Sequence, residues 1–184
     1  SRRRHTRYGT VTGVQTCALP ISIVAISTAK GNSGIGVVRL SGKIAFKISC
    51  IISKKKIKLG INYTSFFDSK SILIDKGLIL FFKKPKSFTG EDLIEFHAHG
   101  NDLILNYLVI ACINLGARIA NNGEFSFRAF LNNKIDLLQA ESINTLIKSN
   151  SLSYNKIIFK SLLGKFSDLI KLIIFDLNNL KKIG

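Results

Sequence analysis

The sequence predicts an α+β fold, in which a mixed or antiparallel sheet carries helices and is followed by a helical segment. Two observations lead to this prediction. Before Gly123, short apolar runs separated by turn residues alternate with helical patterns, without strict βαβ order. After Gly123 only helical periodicity is found. With 184 residues, of which 46% are hydrophobic, the chain can bury one sizeable core, or one core plus a helical appendage.

Residues 1–22 differ in composition from the rest of the chain. Four arginines fall within the first seven residues, whereas lysine is the usual cation elsewhere. The apolar part of this stretch is too short for a secretory signal and is broken by Gln15, Thr16 and Pro20. The stretch resembles translated sequencing-adapter sequence, so we interpret it as a foreign leader. Without its four arginines the chain keeps 23 basic against 11 acidic residues, a net charge of +12.

The full net charge of +16 is typical of proteins that bind a polyanion. The lysines are spread along the sequence, however, and Lys, Ile and Asn are abundant together, which also fits a bias in genomic nucleotide composition. No run of about 18 uncharged apolar residues is found, which argues against a membrane span. Three cysteines without paired spacing indicate a reducing, cytoplasmic compartment. We expect neither a membrane partner nor a DNA partner.

The chain proper begins with a predicted strand at residues 23–26 and a second at 37–40. The glycine-rich residues 31–36 join strand to strand, so a hairpin turn is favoured over a phosphate-binding loop. Ser41 and Gly42 are predicted to cap a short amphipathic helix that ends near residue 53. An antiparallel meander follows, with predicted strands at 62–67, 71–74 and 77–82.

Residues 87–100 are the centre of the prediction, because they begin as a tight turn and continue as a strand over 93–98. On that strand Glu95, His97 and His99 share one face, since side chains alternate with a period of two. An acidic side chain in an apolar strand needs a donor, which makes Glu95 a candidate ligand contact. The three residues could also ligate a metal, but no further residue has a spacing that completes such a site.

The remainder of the chain is predicted to be mainly helical. Gly116 suits the end of the first of these helices. We expect the apolar stripe of the last helix to pack against further helices, a second subunit or both. We divide the chain into an α/β domain at 23–122 and the first helices of a second domain at 123–184. The predicted elements are helices at 102–115, 124–133, 137–149 and 154–182, and a short strand at 117–120.

Two pairs of charged residues also have structural interpretations. Glu91 and Asp92 could be general acids, but a local cap beside the preceding turn is favoured. Arg128 and Asp136 could form a structural ion pair across a turn. Neither pair is included in the predicted site.

Four blocks of the sequence resemble one family. They occur in the family's order and with similar spacing, and the resemblance extends over essentially all of residues 22–184. The family is that of the MnmE (TrmE) tRNA modification GTPases, and the chain resembles its N-terminal portion. The blocks are Ser22 to Gly42 with its core GIGVVRLSG, the segment SFTGEDLIE at 87–95, His99-Gly100, and GEFSFRAFLNNKIDLLQAE at 123–141.

The resemblance implies both a fold and a function. Members of the family have an N-terminal domain that dimerises and binds folate, similar to that of the glycine-cleavage T-protein, and then a helical domain interrupted by a GTPase domain. With an MnmG-type flavoprotein they modify carbon 5 of the wobble uridine in certain tRNAs. They use GTP, K⁺, Mg²⁺ and a tetrahydrofolate derivative, either 5-formyl- or 5,10-methylene-tetrahydrofolate. We therefore expect a cytoplasmic homodimer that contacts tRNA in the full complex.

The chain is expected to supply only part of that function. It contains no G-x-x-x-x-G-K-[ST] motif, so we expect this fragment not to hydrolyse GTP. The matching motifs imply three folate-binding residues, namely Arg39 in GVVRLSG, Glu95 in GEDLIE and Lys134 in FLNNK. A carboxylate can accept the adjacent N–H and NH₂ of a pterin, and cations can bind its carbonyl and its glutamyl tail. No catalytic or metal-binding residue is predicted.

Several loop residues depart from the family pattern and bear on folate affinity. They are residues 29–34, His97, Asn101, and Asn121-Asn122. Three alternatives to folate binding therefore stay open. The chain could be a dimerisation module whose pocket has decayed, or a basic domain that contacts tRNA. The third alternative, a one-carbon transferase of the T-protein kind, is weakened because the further domains of that family are absent from the sequence.

Overall fold

A computed structural model describes residues 21–180 of the chain, without some side chains of the last helix. Within that range it contains six strands and six helices. The strands are β1 Ile23–Ile26, β2 Ser33–Ser41, β3 Gly60–Phe67, β4 Leu73–Phe82, β5 Leu93–Gly100 and β6 Arg118–Ile119. The helices are α1 Ala45–Ser53, α2 Asp102–Asn114, α3 Glu124–Leu131, α4 Leu137–Lys148, α5 Leu152–Leu162 and α6 Lys165–Leu180.

The six strands form one sheet in the order β3-β4-β5-β2-β1-β6. Every neighbouring pair is antiparallel except β1 and β6, which are parallel. The predicted α+β class and mixed sheet are confirmed. The glycine-rich residues 31–36 join antiparallel β1 and β2, as predicted for a hairpin, but residues 33–36 already belong to β2 and extend it along β5.

Helices α1 and α2 cover one face of the sheet. Alternate strand residues such as Val38, Ile79 and Phe96 are fully buried against them. The rings of Phe66 and Phe96 meet edge to face at 5.6 Å between centroids inside this core. The alternation that buries one set of side chains turns the other set to the opposite face, which we call the open face.

The predicted cap of α1 is wrong. Ser41 is the last residue of β2, and its hydroxyl is bonded within 2.8 Å to the side chains of Thr89 and Glu91. The N-cap residue of α1 is Ile44, whose backbone N–H donates to Oγ of Ser22 at 3.1 Å. A serine before a helix predicts a cap from local sequence alone, whereas this serine is used by a loop about 50 residues away.

The predicted strands at 71–74 and 77–82 are a single strand, β4. Asp75 and Gly77 look like turn residues but serve the pairing with β5. A Cβ added to Gly77 would lie 2.0 Å from the carbonyl oxygen of His97, so glycine permits the close approach of the two backbones. The carboxylate of Asp75 accepts the backbone N–H of His99 at 2.8 Å.

The helix predicted at 154–182 is two helices, α5 and α6, and residues 181 and 182 lie outside the described range. The chain turns at Gly164, which has φ +76°. Nε2 of Gln139 donates to the carbonyl of Leu162 at 2.8 Å and so satisfies one of the last carbonyls of α5. Of the helices in residues 21–180, none is long and apolar enough to cross a lipid bilayer.

Residues 1–20 of the predicted leader lie outside the described residues. Ser22, the last residue assigned to that leader, is buried and bonded to the start of α1. Gly116 has φ +99° directly after α2, as predicted for the end of that helix. The division of the chain at residue 123 stays a prediction.

Candidate functional site

The predicted site residues on the sheet lie on the open face. Arg39 of β2 is paired in register with Glu95 of β5, and Val37 with His97. Partners in an antiparallel ladder project to the same side, so Arg39, Glu95 and His97 share this face. Because α1 and α2 pack on the other side, these polar groups remain accessible without disturbing the core.

Arg39 and Glu95 are in direct contact. Nε and Nη2 of Arg39 lie 2.9 and 2.8 Å from Oε1 of Glu95. The second carboxylate oxygen, Oε2, lies 3.3 Å from Nε2 of His97. The Glu95 side chain is only 15% exposed, so its charge is stabilised mainly by these neighbours rather than by water. Oε1 accepts both nitrogens of Arg39, so the further lone pair available to another donor is on Oε2.

Two aromatic rings flank the Arg39 guanidinium. Its Cζ lies 5.8 Å from the ring centre of Phe88 and 5.7 Å from that of Phe125. Phe88 belongs to the loop of residues 87–90 and Phe125 to the first turn of α3. Distances under 6 Å allow cation–π attraction. The sequence prediction missed both rings, although each lies inside a block that carries the family resemblance.

Lys134, in the connection between α3 and α4, lies against the loop of residues 87–90. A Cβ added to Gly90 would lie 3.2 Å from Cγ of Lys134 and 2.9 Å from Cβ of Asn132. Nδ2 of Asn132 also donates to the carbonyl of Thr89 at 2.6 Å. Lys134 is exposed, and no ion pair joins it to Glu95 in the part of the chain that the structure describes. The same short loop therefore carries Phe88 to Arg39 and Gly90 to Lys134.

A buried ionic network supports this loop. Arg128 of α3 is 1% exposed, and its guanidinium donates to Glu91 at 3.1 Å, to Glu124 at 3.1 Å and to the carbonyl of Ile21 at 2.9 Å. Glu124 in turn accepts from Arg118 at 2.6 Å. The network connects α3, β6 and the segment before β5, and it fixes the distance between them.

The hydrogen bond from Arg118 is the main cause that lowers the pKa of Glu124 to about 2. Burial acts in the opposite direction, and the Asn121 backbone and Arg128 add to the lowering. Glu124 is thus a permanently ionised structural group at neutral pH. The i, i+4 spacing of Glu124 and Arg128 was the sequence signal for half of this network.

The structural roles predicted for the nearby acids need correction. Glu91 is not a local cap, because it pairs with Arg128 from 37 residues away. Asp92 accepts the backbone N–H of Lys84 at 3.0 Å. Asp136 caps α4 in a capping box with Gln139, whereas the guanidinium of Arg128 binds Glu91 and Glu124. Local spacing could have revealed the capping box of Asp136 and Gln139 but not the contact between Glu91 and Arg128, which are 37 residues apart.

His99 lies on the same face of β5 as Glu95 and His97, but its side chain contacts β4 instead of the Arg39–Glu95 pair. Its Nδ1 lies 2.9 Å from Oδ1 of Asp75 on β4. Burial acts to raise the pKa of Asp75, but the hydrogen bonds from His99 outweigh it and hold that pKa below its usual value. Within residues 21–180 no three His, Cys, Asp or Glu side chains are grouped so that they could hold a metal ion. Burial raises the pKa of the Cys112 thiol to about 12, which keeps it protonated.

The arrangement suits a flat heteroaromatic ligand with hydrogen-bond donors on one edge. Glu95 can accept such donors, the rings of Phe88 and Phe125 offer apolar faces, and Arg39 offers a fork of donors. A cleft of about 600 Å³ between α3 and α4 is lined by residues such as Phe127 and Phe130. Neither Arg39 nor Glu95 lines that cleft, so it is a separate feature.

Comparison with known proteins gives consistent results. The profile of the family described as the N-terminus of the GTP-binding protein TrmE matches residues 22–134. A tRNA modification GTPase MnmE of Buchnera aphidicola subsp. Cinara cedri is 47% identical over 165 residues, which are 86% of this chain and 36% of that protein. The protein of the same name from Chromobacterium violaceum is 44% identical over 166 residues, covering 89% of this chain and 37% of the relative.

A third relative, from Francisella philomiragia subsp. philomiragia and again named tRNA modification GTPase MnmE, is 47% identical over 148 residues. The match covers 79% of this chain and 32% of that protein. The chain therefore spans about a third of the length of the curated relatives that it matches.

Proposed function

From the premise that the chain belongs to the family of the TrmE N-terminus, we propose that it is the N-terminal, folate-binding part of a tRNA modification GTPase. The observation that carries the proposal is the Arg39–Glu95 pair on the open face, with an oxygen 2.8 Å from the guanidinium and two phenylalanine rings within 6 Å of it. The ligand proposed is a tetrahydrofolate derivative, either 5-formyl- or 5,10-methylene-tetrahydrofolate.

The donor set fits this ligand chemically. A pterin presents an N–H and an NH₂ side by side, and the carboxylate of Glu95 would accept them by exchanging its bonds with Arg39 for bonds with the pterin. Arg39 and Lys134 supply the two cations for the ring carbonyl and the carboxylates of the glutamyl tail. Phe88 and Phe125 provide apolar surface for the ring system. Bound folate would supply a one-carbon unit, and the role of these residues is to bind and orient it.

The wider function that we propose follows from the names of the relatives and from the family. The complete protein would be a cytoplasmic homodimer that hydrolyses GTP with K⁺ and Mg²⁺. With an MnmG-type flavoprotein it would modify carbon 5 of the wobble uridine in tRNA. The described residues contribute folate binding and dimerisation to that activity.

A second candidate is a dimerisation module without folate. Two observations favour it. Two nitrogens of the Arg39 guanidinium occupy one carboxylate oxygen of Glu95. The open face also exposes apolar residues, among them Ile61 and Leu78, which a second copy could cover.

Isothermal titration calorimetry with 5-formyltetrahydrofolate tests the proposal. We expect the 184-residue chain to bind, and Glu95→Gln to weaken binding by about tenfold or more, because a neutral amide turns a donor toward the donor edge of the pterin. Glu141→Gln, an exposed glutamate on α4, is the matched control and should bind like the wild type.

Two results would reject folate binding at Glu95. One is the absence of heat with the wild-type protein, and the other is equal affinity of the Glu95→Gln variant. Size-exclusion chromatography with light scattering separates the two candidates, since a dimer that does not bind folate supports the second.

A further inference from the structure

Seven lysines from two distant segments come together at one border of the sheet. The first segment, residues 54–58, precedes β3, and the second, residues 83–86, follows β4. Gly60 pairs with Phe81, which brings the two segments together. All seven lysines are exposed, and no acidic residue occurs in residues 54–67 or 83–86. We call this surface the lysine edge: Lys54, Lys55, Lys56, Lys58, Lys83, Lys84 and Lys86.

The first segment runs along the outer side of β3. Nζ of Lys54 lies 4.2 Å from the ring centre of Phe67, and Nζ of Lys55 donates to the carbonyl of Tyr63 at 3.0 Å. The amide of Asn62 is bonded to both backbone groups of Lys58 at 2.7 Å. The positive charges therefore follow a strand of eight residues, which is about 25 Å long.

Aromatic and apolar groups lie beside these charges. A cleft of about 390 Å³ is lined by Leu59, Phe81, Phe82 and Pro85 together with Lys83, Lys84 and Lys86. Cations beside a cleft with aromatic lining are the combination with which proteins bind single-stranded nucleic acid, since phosphates meet the cations and bases stack on the rings.

A simpler role for the lysines is protection of the sheet border. β3 is an edge strand, and charged side chains prevent such strands from pairing with another chain. The protection of β3 does not explain the three lysines after β4, which surround the apolar cleft instead.

We propose that the lysine edge is an RNA-binding surface, with the lysines on backbone phosphates and an unpaired base in the apolar cleft beside Lys83, Lys84 and Lys86. That the RNA is a tRNA rests on the proposed function. Glu95, Leu80 and Ile61 lie side by side on β5, β4 and β3, so the candidate folate site is two strand spacings, roughly 10 Å, from β3. An RNA held on the lysine edge thus lies beside the open face.

The test variant is Lys58→Gln, Lys83→Gln and Lys86→Gln combined in the 184-residue chain. The matched control removes three exposed lysines from the helical segment, with Lys148→Gln, Lys156→Gln and Lys160→Gln. Both variants lose the same charge. Fluorescence anisotropy with a labelled tRNA transcript, between about 50 and 200 mM KCl, gives the affinity and its salt dependence.

We expect the test variant to lose about tenfold in affinity at the lowest salt, and its log–log salt slope to fall in magnitude by about 2 to 3. The control should stay within about twofold of the wild type. The combined Lys→Arg variant at residues 58, 83 and 86 should restore binding, because it keeps the charge. In the wild-type protein, tRNA should reduce the extent of acetylation of Lys58, Lys83 and Lys86. This measurement does not depend on the folding of any variant.

Four outcomes would overturn the proposal. They are no binding of tRNA, equal losses in the two variants, acetylation that tRNA does not change, and aggregation of the test variant with unchanged tRNA affinity. If the test variant binds vesicles of phosphatidylglycerol and phosphatidylcholine more weakly than the wild type but binds tRNA equally well, the surface is assigned to a membrane instead. Calorimetry with 5-formyltetrahydrofolate on the same samples separates a failed RNA surface from a failed folate site.

Discussion

Arg128 carries a permanent charge and is nevertheless 1% exposed. Such burial is tolerated only where carboxylates and hydrogen bonds replace water, and Glu91, Glu124 and the carbonyl of Ile21 do so here. Removing one partner would leave charge uncompensated in the interior, which typically costs about 3–5 kcal/mol. This network has a positioning role, because it holds the segment that follows the Phe88 loop close to α3.

Acid stability should depend on Glu124. Its pKa is about 2 in the folded protein, below the ordinary value of 4.5, so the unfolded chain binds a proton first as the pH falls. The ionised carboxylate of Glu124 therefore stabilises the folded protein fully above pH 4.5, and this stabilisation is lost as the pH drops toward 2. A shift of this size corresponds to roughly 3 kcal/mol. We expect the difference in unfolding free energy between wild type and Glu124→Gln to shrink by about that amount between pH 5 and pH 2.

Urea unfolding at several pH values in that interval measures the difference. Glu141→Gln, which changes an exposed glutamate, should give a small and nearly constant difference from the wild type. A constant difference for Glu124→Gln would mean that the carboxylate of Glu124 is not held in its ionised form.

Single residues of the candidate site were only partly predictable from the sequence. Strand alternation predicted that Glu95 faces the same side as His97, and the family resemblance indicated Arg39. The contact between Arg39 and Glu95 depends on the register of β2 against β5, which local patterns do not contain. Arg128 shows the same limit, since its partner Glu91 is 37 residues away.

At the scale of elements, helices with regular apolar spacing were predicted correctly, whereas the positions at which strands and helices break were not. The helices α2, α3 and α4 begin at the residues expected from their apolar spacing. In β4, the predicted strands at 71–74 and 77–82 left a break at residues 75 and 76, because Asp75 is a residue type that favours turns. In the structure, Gly77 allows the β5 backbone to approach, an effect of the neighbouring strand that outweighs the local preference.

The loop of residues 87–90 should tolerate no side chain at Gly90. Gly90 has φ +75°, and an added Cβ would lie 2.9 Å from that of Asn132. Gly123 is a matched control, because its φ is +76° and an added Cβ would meet nothing within 4 Å. Both alanine variants carry the left-handed backbone penalty of about 1–2 kcal/mol. We expect Gly90→Ala to lose about 1–3 kcal/mol more than Gly123→Ala, since overpacking is added.

Urea unfolding of the two variants measures this difference. Because the same loop carries Phe88, the affinity of Gly90→Ala for 5-formyltetrahydrofolate should fall as well, while that of Gly123→Ala should change less. Equal unfolding free energies for the two variants would show that the connection between α3 and α4 moves aside without strain.

At the scale of the whole molecule, the two faces of the sheet differ in what covers them. Helices α1 and α2 bury one face, whereas the open face combines the Arg39–Glu95 pair with exposed apolar side chains. The lysine edge lies at one border of that face. Apolar surface in the interior of a sheet face, with charge at its border, is the distribution found at many protein interfaces.

Homodimer formation through the open face gives the last prediction. Ile61 and Leu78 are 72% and 37% exposed on adjacent strands, and Tyr63 is paired in register with Leu78. A second copy would remove this apolar surface from water, which supplies the driving force for association. We therefore expect the wild-type chain to be a dimer by light scattering, and Ile61→Ser combined with Leu78→Ser to be monomeric at the same micromolar concentration.

The control for that experiment replaces two exposed apolar residues on the opposite side of the sheet, Leu103 and Ile110 of α2, by serine. It removes a comparable apolar surface and should remain dimeric. Dissociation of both variants would indicate a general loss of folding, which circular dichroism would reveal. A wild-type monomer, or a test variant that stays dimeric, would show that the apolar residues of the open face do not hold two copies together. The surface would then be available to another partner.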